Sequence, residues 1–157
     1  ANKYNIDVIR TMVGEINVVN KMKNCASIIG GEGNGGVILP ESHYGRDSLV
    51  ATALLLNRLS MEDLSMSQLY NTIPHYEIIK DFIKTDKPLN QTFINIIKKE
   101  LQPMKTNEMD GIKLIWPKKW IHIRRSNTEP IVRFYSEAEN IEDSNKLINQ
   151  AKRLFDI

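Results

Sequence analysis

The chain has 157 residues, of which 41% are hydrophobic and 25% charged, a balance that excludes a disordered tail and leaves room for one ordinary domain or two small ones. A formal net charge of +2 is too mild to imply a nucleic-acid partner by itself, and the longest apolar runs, such as Ala51 to Leu56, fall well short of the roughly 20 residues that span a bilayer. No basic stretch followed by an apolar run opens the sequence, so a secretory leader is not expected and a cytoplasmic, membrane-free protein is.

Residues 4–10 read as a strand through Ile6, Val8 and Ile9, and residues 14–23 as a helix with Ile16, Val19 and Met22 on one face. The single cysteine, Cys25, rules out an internal disulfide and a cysteine-based zinc site; with no activating partner in view it is expected to be a small buried apolar side chain. Ala26 to Ile29, stopped by Gly30 and Gly31, reads as a buried strand, and Val37 to Leu39 as another ended by Pro40. Helices follow at about 47–59 and 67–72, the second ending before Pro74. This order suits an α/β layer structure, and its abrupt start suggests the second half of an α/β domain over residues 1–73.

A second block covers residues 74–157. His75 to Lys84 reads as a strand, and Asn90 to Leu101 as a helix with Phe93, Ile94, Ile97 and Leu101 in a stripe. Asp110-Gly111 marks a turn, 112–116 and 120–124 are strands, 131–137 is a third, and 141–155 is an amphipathic helix through Leu147, Ile148, Ala151 and Leu154. The expected domain is α+β, an antiparallel sheet with helices on one face.

Two loops carry chemistry. Gly31-Glu32-Gly33-Asn34-Gly35-Gly36 matches the spacing of a dinucleotide-binding loop, but that motif needs a helix opening directly after it, and Val37 to Pro40 is extended and then broken. Glycines let a backbone approach a ligand closely, and the Glu32 carboxylate would project from an otherwise bare loop to accept from two neighbouring hydroxyls, with Asn34 beside it as donor and acceptor. A plain solvated turn is the alternative. The other loop, Arg124-Arg125-Ser126-Asn127-Thr128-Glu129-Pro130, lies between two strands with Arg133 following, and it combines guanidinium forks, hydroxyls and consecutive amides, the donor set a phosphate dianion needs. Alternation puts Trp120, His122 and Arg124 on one strand face and Ile121 and Ile123 on the other. Here the alternatives are a solvent-facing basic hairpin, or an anion- or RNA-binding module over 116–135 using Trp116, Trp120, Phe134 and Tyr135 as a stacking platform. The acidic segment 137–143 works against a nucleic-acid track.

The two loops in this order resemble those of the α-D-phosphohexomutases: phosphoglucomutase, phosphomannomutase and phosphoglucosamine mutase. The family has four domains. Its third carries a sugar-recognition loop beginning Gly-Glu, matched by Gly31 to Gly36. Its fourth carries a phosphate loop, Arg-x-Ser-(Asn or Gly)-Thr-Glu-Pro, matched by Arg124 to Pro130. Thr11-Met12-Val13-Gly14-Glu15 is similar to a third-domain stretch lining the cleft, and Gly45-Arg46-Asp47 to the start of the helix after the sugar loop.

The resemblance implies an isomerase-class phosphotransferase that interconverts hexose 1-phosphate and hexose 6-phosphate through a phosphoserine enzyme and a hexose 1,6-bisphosphate. Glu32 and Asn34 would then hold sugar hydroxyls, and Arg124, Ser126, Asn127, Thr128 and Arg133 the phosphate that is not reacting. The family's catalytic Ser-His-Asn-Pro stretch and its Mg²⁺ loop, Asp-Gly-Asp-x-Asp-Arg, are both absent here. No catalytic or metal-binding residue is therefore expected in this chain, Mg²⁺ would be held by N-terminal domains of the same protein, and the chain alone is expected to be inactive. Val13-Gly14-Glu15 is similar to phosphoglucosamine mutases, whereas Asn127 leans toward phosphomannomutase or phosphoglucomutase.

Overall fold

A computed structural model describes residues 4–155, and the chain divides into two compact units, Ala1–Ile73 and Pro74–Ile157. The first unit is helical around a small hairpin. Helix α1 (Glu15–Cys25) carries Glu15 in its first turn and Lys23 in its last, which suits the helix dipole, and it ends at Ala26 in the left-handed conformation. Strands β1 (Gly30–Gly31) and β2 (Val37–Ile38) pair antiparallel, Gly30 opposite Ile38. Val19 and Met22 of α1 pack on Ile38, and the Met22 sulfur fills the space a side chain at Gly30 would need. Helix α2 (Ser48–Glu62) is capped by Asp47, and α3 (Met66–Asn71) by a capping box between Ser65 and Gln68.

Three expectations fail in this unit. Residues 6–10 form no strand and are exposed, because a strand needs a hydrogen-bonding neighbour and no described residue supplies one. The run 26–29 is not a buried strand either: Ile28 is 82% exposed, and pairing falls on the glycines beyond it, where Met22 can close over a bare backbone. Cys25 is exposed at the end of α1, its thiol donating to the Lys21 carbonyl at 2.9 Å. Helix α2 buries no residue, and Leu49 is 80% exposed, so its apolar stripe is uncovered among the described residues.

The second unit is a five-stranded antiparallel sheet in the order β3-β7-β6-β5-β4, formed by β3 (Glu77–Lys84), β4 (Lys105–Asn107), β5 (Ile112–Trp116), β6 (Lys119–Arg125) and β7 (Ile131–Ala138). Helices α4 (Gln91–Leu101) and α5 (Ile141–Phe155) share one core with one sheet face: Phe93, Ile94 and Ile97 with Leu147, Ile148, Ala151 and Phe155, against Ile112, Leu114, Ile121, Ile123, Val132 and Phe134. Phe155 meets Phe93 and Phe134 edge-on at 5.0 and 6.1 Å between centroids. Asn90 caps α4, Ser144 of α5 donates to the Glu77 carbonyl at 2.8 Å, and Lys152 pairs with Asp81 on β3. Strand β4 escapes sequence reading because Lys-Thr-Asn has no apolar period; it joins through its backbone alone.

Ile123→Ala, at a site with no solvent exposure, should destabilise this unit by about 3 kcal/mol. Met104→Ala, at an exposed side chain, should cost less than about 0.5 kcal/mol. Both tryptophans, Trp116 and Trp120, lie here, so urea unfolding followed by tryptophan fluorescence reads this unit alone.

Candidate functional site

The glycine-rich loop connects β1 to β2 and is folded back on itself. Glu32 N–H donates to the Gly36 carbonyl at 3.0 Å, Gly35 N–H to the Glu32 carbonyl at 3.1 Å, and Gly36 N–H to Asn34 Oδ1 at 3.1 Å. Gly35 sits at φ 92°, whereas Gly36 is required for space: a Cβ there would collide with the aliphatic stem of Arg46. Arg46 comes from the connection to α2. Asp47 N–H donates to the Val37 carbonyl at 2.9 Å and holds that connection against β2.

Glu32 does not project from a bare loop, as its sequence context suggested. Its side chain is only 15% exposed, and its Oε2 lies 3.3 Å from Arg46 Nη1, while Arg46 Nε donates to Glu15 Oε2 at 2.7 Å. One guanidinium thus joins two carboxylates from distant parts of the sequence. The bond to Glu15 is the main cause that raises the Arg46 pKa above its ordinary value. Asp47 is held below the usual carboxylate range, first by the Val50 N–H, then by His43 and the Leu49 N–H. Gly45 N–H donates to His43 Nδ1 at 3.0 Å, so His43 carries its proton on Nε2 and donates to Asp47 Oδ2 at 2.9 Å. Beside this arrangement lies a cleft of about 620 Å³, lined by Glu15, Asn34, Gly36, Arg46, Asp47 and Ser48 among others. Asn34 therefore lines the cleft, whereas Glu32 does not and is linked to it only through Arg46.

In the second unit, the face of β6 and β7 away from the helices carries Trp120, His122 and Arg124 with Arg133 and Tyr135. Arg124 and Arg133 are directly opposed across the two strands. Like charges in that position repel. Arg133 answers with Glu129, 2.9 Å away. Arg124 is only 14% exposed; its Nη1 lies 3.9 Å from Asp110 Oδ2, and its Nε is buried with no hydrogen-bond partner among the described residues. Leaving such a donor unpaired costs about 1–3 kcal/mol.

The loop after β6 folds tightly: Ser126 N–H donates to the Ile131 carbonyl at 3.0 Å, and the Ser126 and Thr128 hydroxyls lie 3.4 Å apart. Ser126 is buried, and Asn127 and Thr128 are exposed. The structure brings Arg124, Arg133 and this loop to one end of β6 and β7, but the Arg124 guanidinium lies toward Asp110 rather than bonding the two hydroxyls. Arg125 is consumed elsewhere, donating to the carbonyls of Asp86 and Lys87 at 3.2 and 3.3 Å.

The Asp110-Gly111 turn supports this end. A Cβ on Gly111, at φ 69°, would strike the backbone of Ile123 and Arg124, so the turn lies directly on β6. His122 Nε2 donates to the Asp110 carbonyl at 2.6 Å. Burial lowers the His122 pKa, and Lys113 and Arg124 lower it further. The aromatic platform expected for RNA is divided. Phe134 belongs to the core, Trp116 packs on that core, and the Trp120 ring is covered by the Lys113 ammonium at 3.6 Å.

Sequence reasoning quoted Arg46, Glu15 and Asp110 but assigned none of them to a site. The signal was present in the Gly45-Arg46-Asp47 and Thr11-to-Glu15 similarities; the ion pair between them, spanning 31 residues, was not visible. Among the described residues, no group of three or more His, Cys, Asp or Glu side chains is arranged to hold a metal ion, and no helix is long and apolar enough to cross a membrane.

Comparison with known proteins extends these findings. Residues 1–76 match the family described as phosphoglucomutase/phosphomannomutase, α/β/α domain III. The phosphoglucosamine/phosphogalactosamine mutase of Sulfurisphaera tokodaii is 34% identical over 158 residues, covering 98% of this chain and 34% of that protein. The phosphoglucomutase/phosphomannomutase of Thermococcus kodakarensis is 29% identical over 157 residues, covering 99% of this chain and 34% of the relative. A crystal structure of a phosphoglucomutase/phosphomannomutase family protein from Burkholderia thailandensis superposes with a TM-score of 0.66 at 23% identity, over 90% of this chain and 31% of that one, and so shares the fold. The chain therefore spans about a third of the length of the curated relatives it matches.

The depressed His122 pKa has a definite sign. Between that value and the unfolded value of about 6.5, the unfolded chain binds the proton and the folded chain does not, so stability falls as pH drops through this window. His122→Gln, whose amide can still donate to Asp110, should flatten that part of the profile. Urea midpoints by tryptophan fluorescence between pH 7.5 and pH 5, set against the wild type, measure it.

Proposed function

We propose that this chain, which belongs to the phosphohexomutase family, supplies the sugar and distal-phosphate contacts of an enzyme that interconverts hexose 1-phosphates and hexose 6-phosphates. The proposed division assigns sugar recognition to residues 1–73, through Glu32 and Asn34, and phosphate binding to residues 74–157, through Arg124, Ser126, Asn127, Thr128 and Arg133. The observation that carries this reading is Arg124: a buried guanidinium with an unpaired Nε, opposite a second arginine and beside a loop rich in donors. A dianion at that place would offset the repulsion between the two guanidiniums.

The role of these residues is positioning. A bisphosphorylated intermediate that turns around presents either end to the same clamp, and binding energy at the remote phosphate orients the reacting end. The phosphoserine and the Mg²⁺ that the family resemblance implies would come from other parts of a longer protein. Glucosamine phosphate is the first substrate to test, followed by the mannose and glucose phosphates. A cytoplasmic location belongs to the same proposal, since charged sugar phosphates do not cross a bilayer unaided.

An arginine retained for binding rather than for stability has a distinctive phenotype. Arg124→Met should leave the stability of the second unit unchanged or raise it by about 1 kcal/mol, because it removes an unpaired buried donor. The same change should weaken glucose 1,6-bisphosphate binding at least tenfold by calorimetry. Equal binding by wild type and variant would refute the phosphate role, and tighter, salt-steep binding of a short RNA than of the sugar bisphosphate would favour the nucleic-acid module instead. The chain alone should not turn over glucosamine 6-phosphate, and measurable turnover would contradict the division of labour.

A further inference from the structure

Arg46 stands between the glycine-rich loop and the cleft. Its stem occupies the volume left by Gly36, its Nε is bonded to Glu15, its Nη1 approaches Glu32, its side chain is 44% exposed, and it is one of the residues lining the cleft. Glu32, at 15% exposure, does not line the cleft itself but lies 3.3 Å from the guanidinium of Arg46, which does. The family resemblance implies sugar contacts for Glu32 and Asn34 and leaves Arg46 without a role.

We infer that Arg46 is the positioning residue of the sugar site, fixing the Glu32 carboxylate through a glycine-lined slot and completing with it a donor–acceptor pair for one hydroxyl of a hexose phosphate. The physical logic has three parts. A hydroxyl both donates and accepts, so a carboxylate oxygen and a guanidinium N–H side by side satisfy it fully, and they discriminate against a ligand that lacks that hydroxyl. Glu32 approaches Arg46 through Oε2, and Oε1 would meet the ligand. The second carboxylate, Glu15, sits on the first turn of α1 and prevents the guanidinium from collapsing entirely onto Glu32; held from two sides, Arg46 keeps one geometry before any ligand arrives. Gly36 is then a specificity determinant without touching the ligand, because any side chain there would push Arg46 from its slot.

This inference rests on the sugar-hydroxyl reading of Glu32, and the test separates the two. Amide spectra of the wild-type chain, Arg46→Met, Arg46→Lys, Gly36→Ala, the Gly36→Ala/Arg46→Met double variant and Glu32→Gln are recorded without ligand and during titration with glucose 1,6-bisphosphate. Arg46→Met and Gly36→Ala should each move the amide resonances of residues 32–36. Each should weaken binding at least fivefold, the double variant should be no worse than Arg46→Met alone, and Arg46→Lys should recover part of the loss. Loop resonances unchanged in Arg46→Met would overturn the inference even if the ligand binds too weakly to titrate. Fully additive effects of Gly36→Ala and Arg46→Met would also overturn it, since the two changes would then not act through one side chain. Undiminished binding by Glu32→Gln would instead reject the sugar-hydroxyl reading, whereas a loss in Glu32→Gln without a loss in Arg46→Met would reject only the role of Arg46.

Discussion

Side chains alternate across a strand, and in the second unit that alternation decides everything on the outer surface. Covering Ile121, Ile123, Val132 and Phe134 with α4 and α5 obliges Trp120, His122, Arg124, Arg133 and Tyr135 to share the opposite face. The antiparallel register then sets Arg124 directly against Arg133. Two guanidiniums in that position are an electrostatic liability in the isolated fold, and the surroundings relieve it only in part: Glu129 engages Arg133, Asp110 stands at longer range from Arg124, and one buried Nε stays unpaired. A packing requirement on one side of the sheet thus brings two guanidiniums together on the other.

The first unit obtains its order by different means. Its core is small, gathering Val19, Met22 and Ile38, so much of its definition comes from polar and backbone devices. Glycines in the β1–β2 hairpin let Met22 and Arg46 approach the backbone from different directions. Asp47 serves three partners at once: Leu49 and Val50 N–H at the start of α2, and His43 across the preceding turn. The Glu15–Arg46–Glu32 chain of charges closes the same region. Because these pairs are partly exposed, each adds little to stability, and their main effect is to restrict side-chain geometry at the cleft edge.

Both units therefore follow one pattern, a guanidinium held by carboxylates with some donor capacity left over. The first presents it beside a glycine loop and the second beside a hydroxyl-bearing loop. In the proposed function, such groups would meet a ligand that is both polyhydroxylated and anionic, and would orient it without forming or breaking bonds. The chain spans about a third of the length of the curated relatives it matches.

Sequence by itself determined most of the second unit. The boundaries of β5 and α5, the core face of β6 and the turn at Asp110-Gly111 follow from periodicities of two and 3.6 and from turn chemistry, all of which act within a few residues. It also marked both candidate loops, because glycine spacing and a run of donors are local facts. Only the tertiary structure decided whether an apolar run finds a partner. It left residues 6–10 unpaired, moved the first hairpin from Ala26–Ile29 onto glycines, exposed Cys25, and recruited polar β4 into a sheet. It alone brought Arg46 to Glu15 and Glu32, and Asp110 to Arg124, since charge pairing acts through space between residues that the sequence keeps far apart.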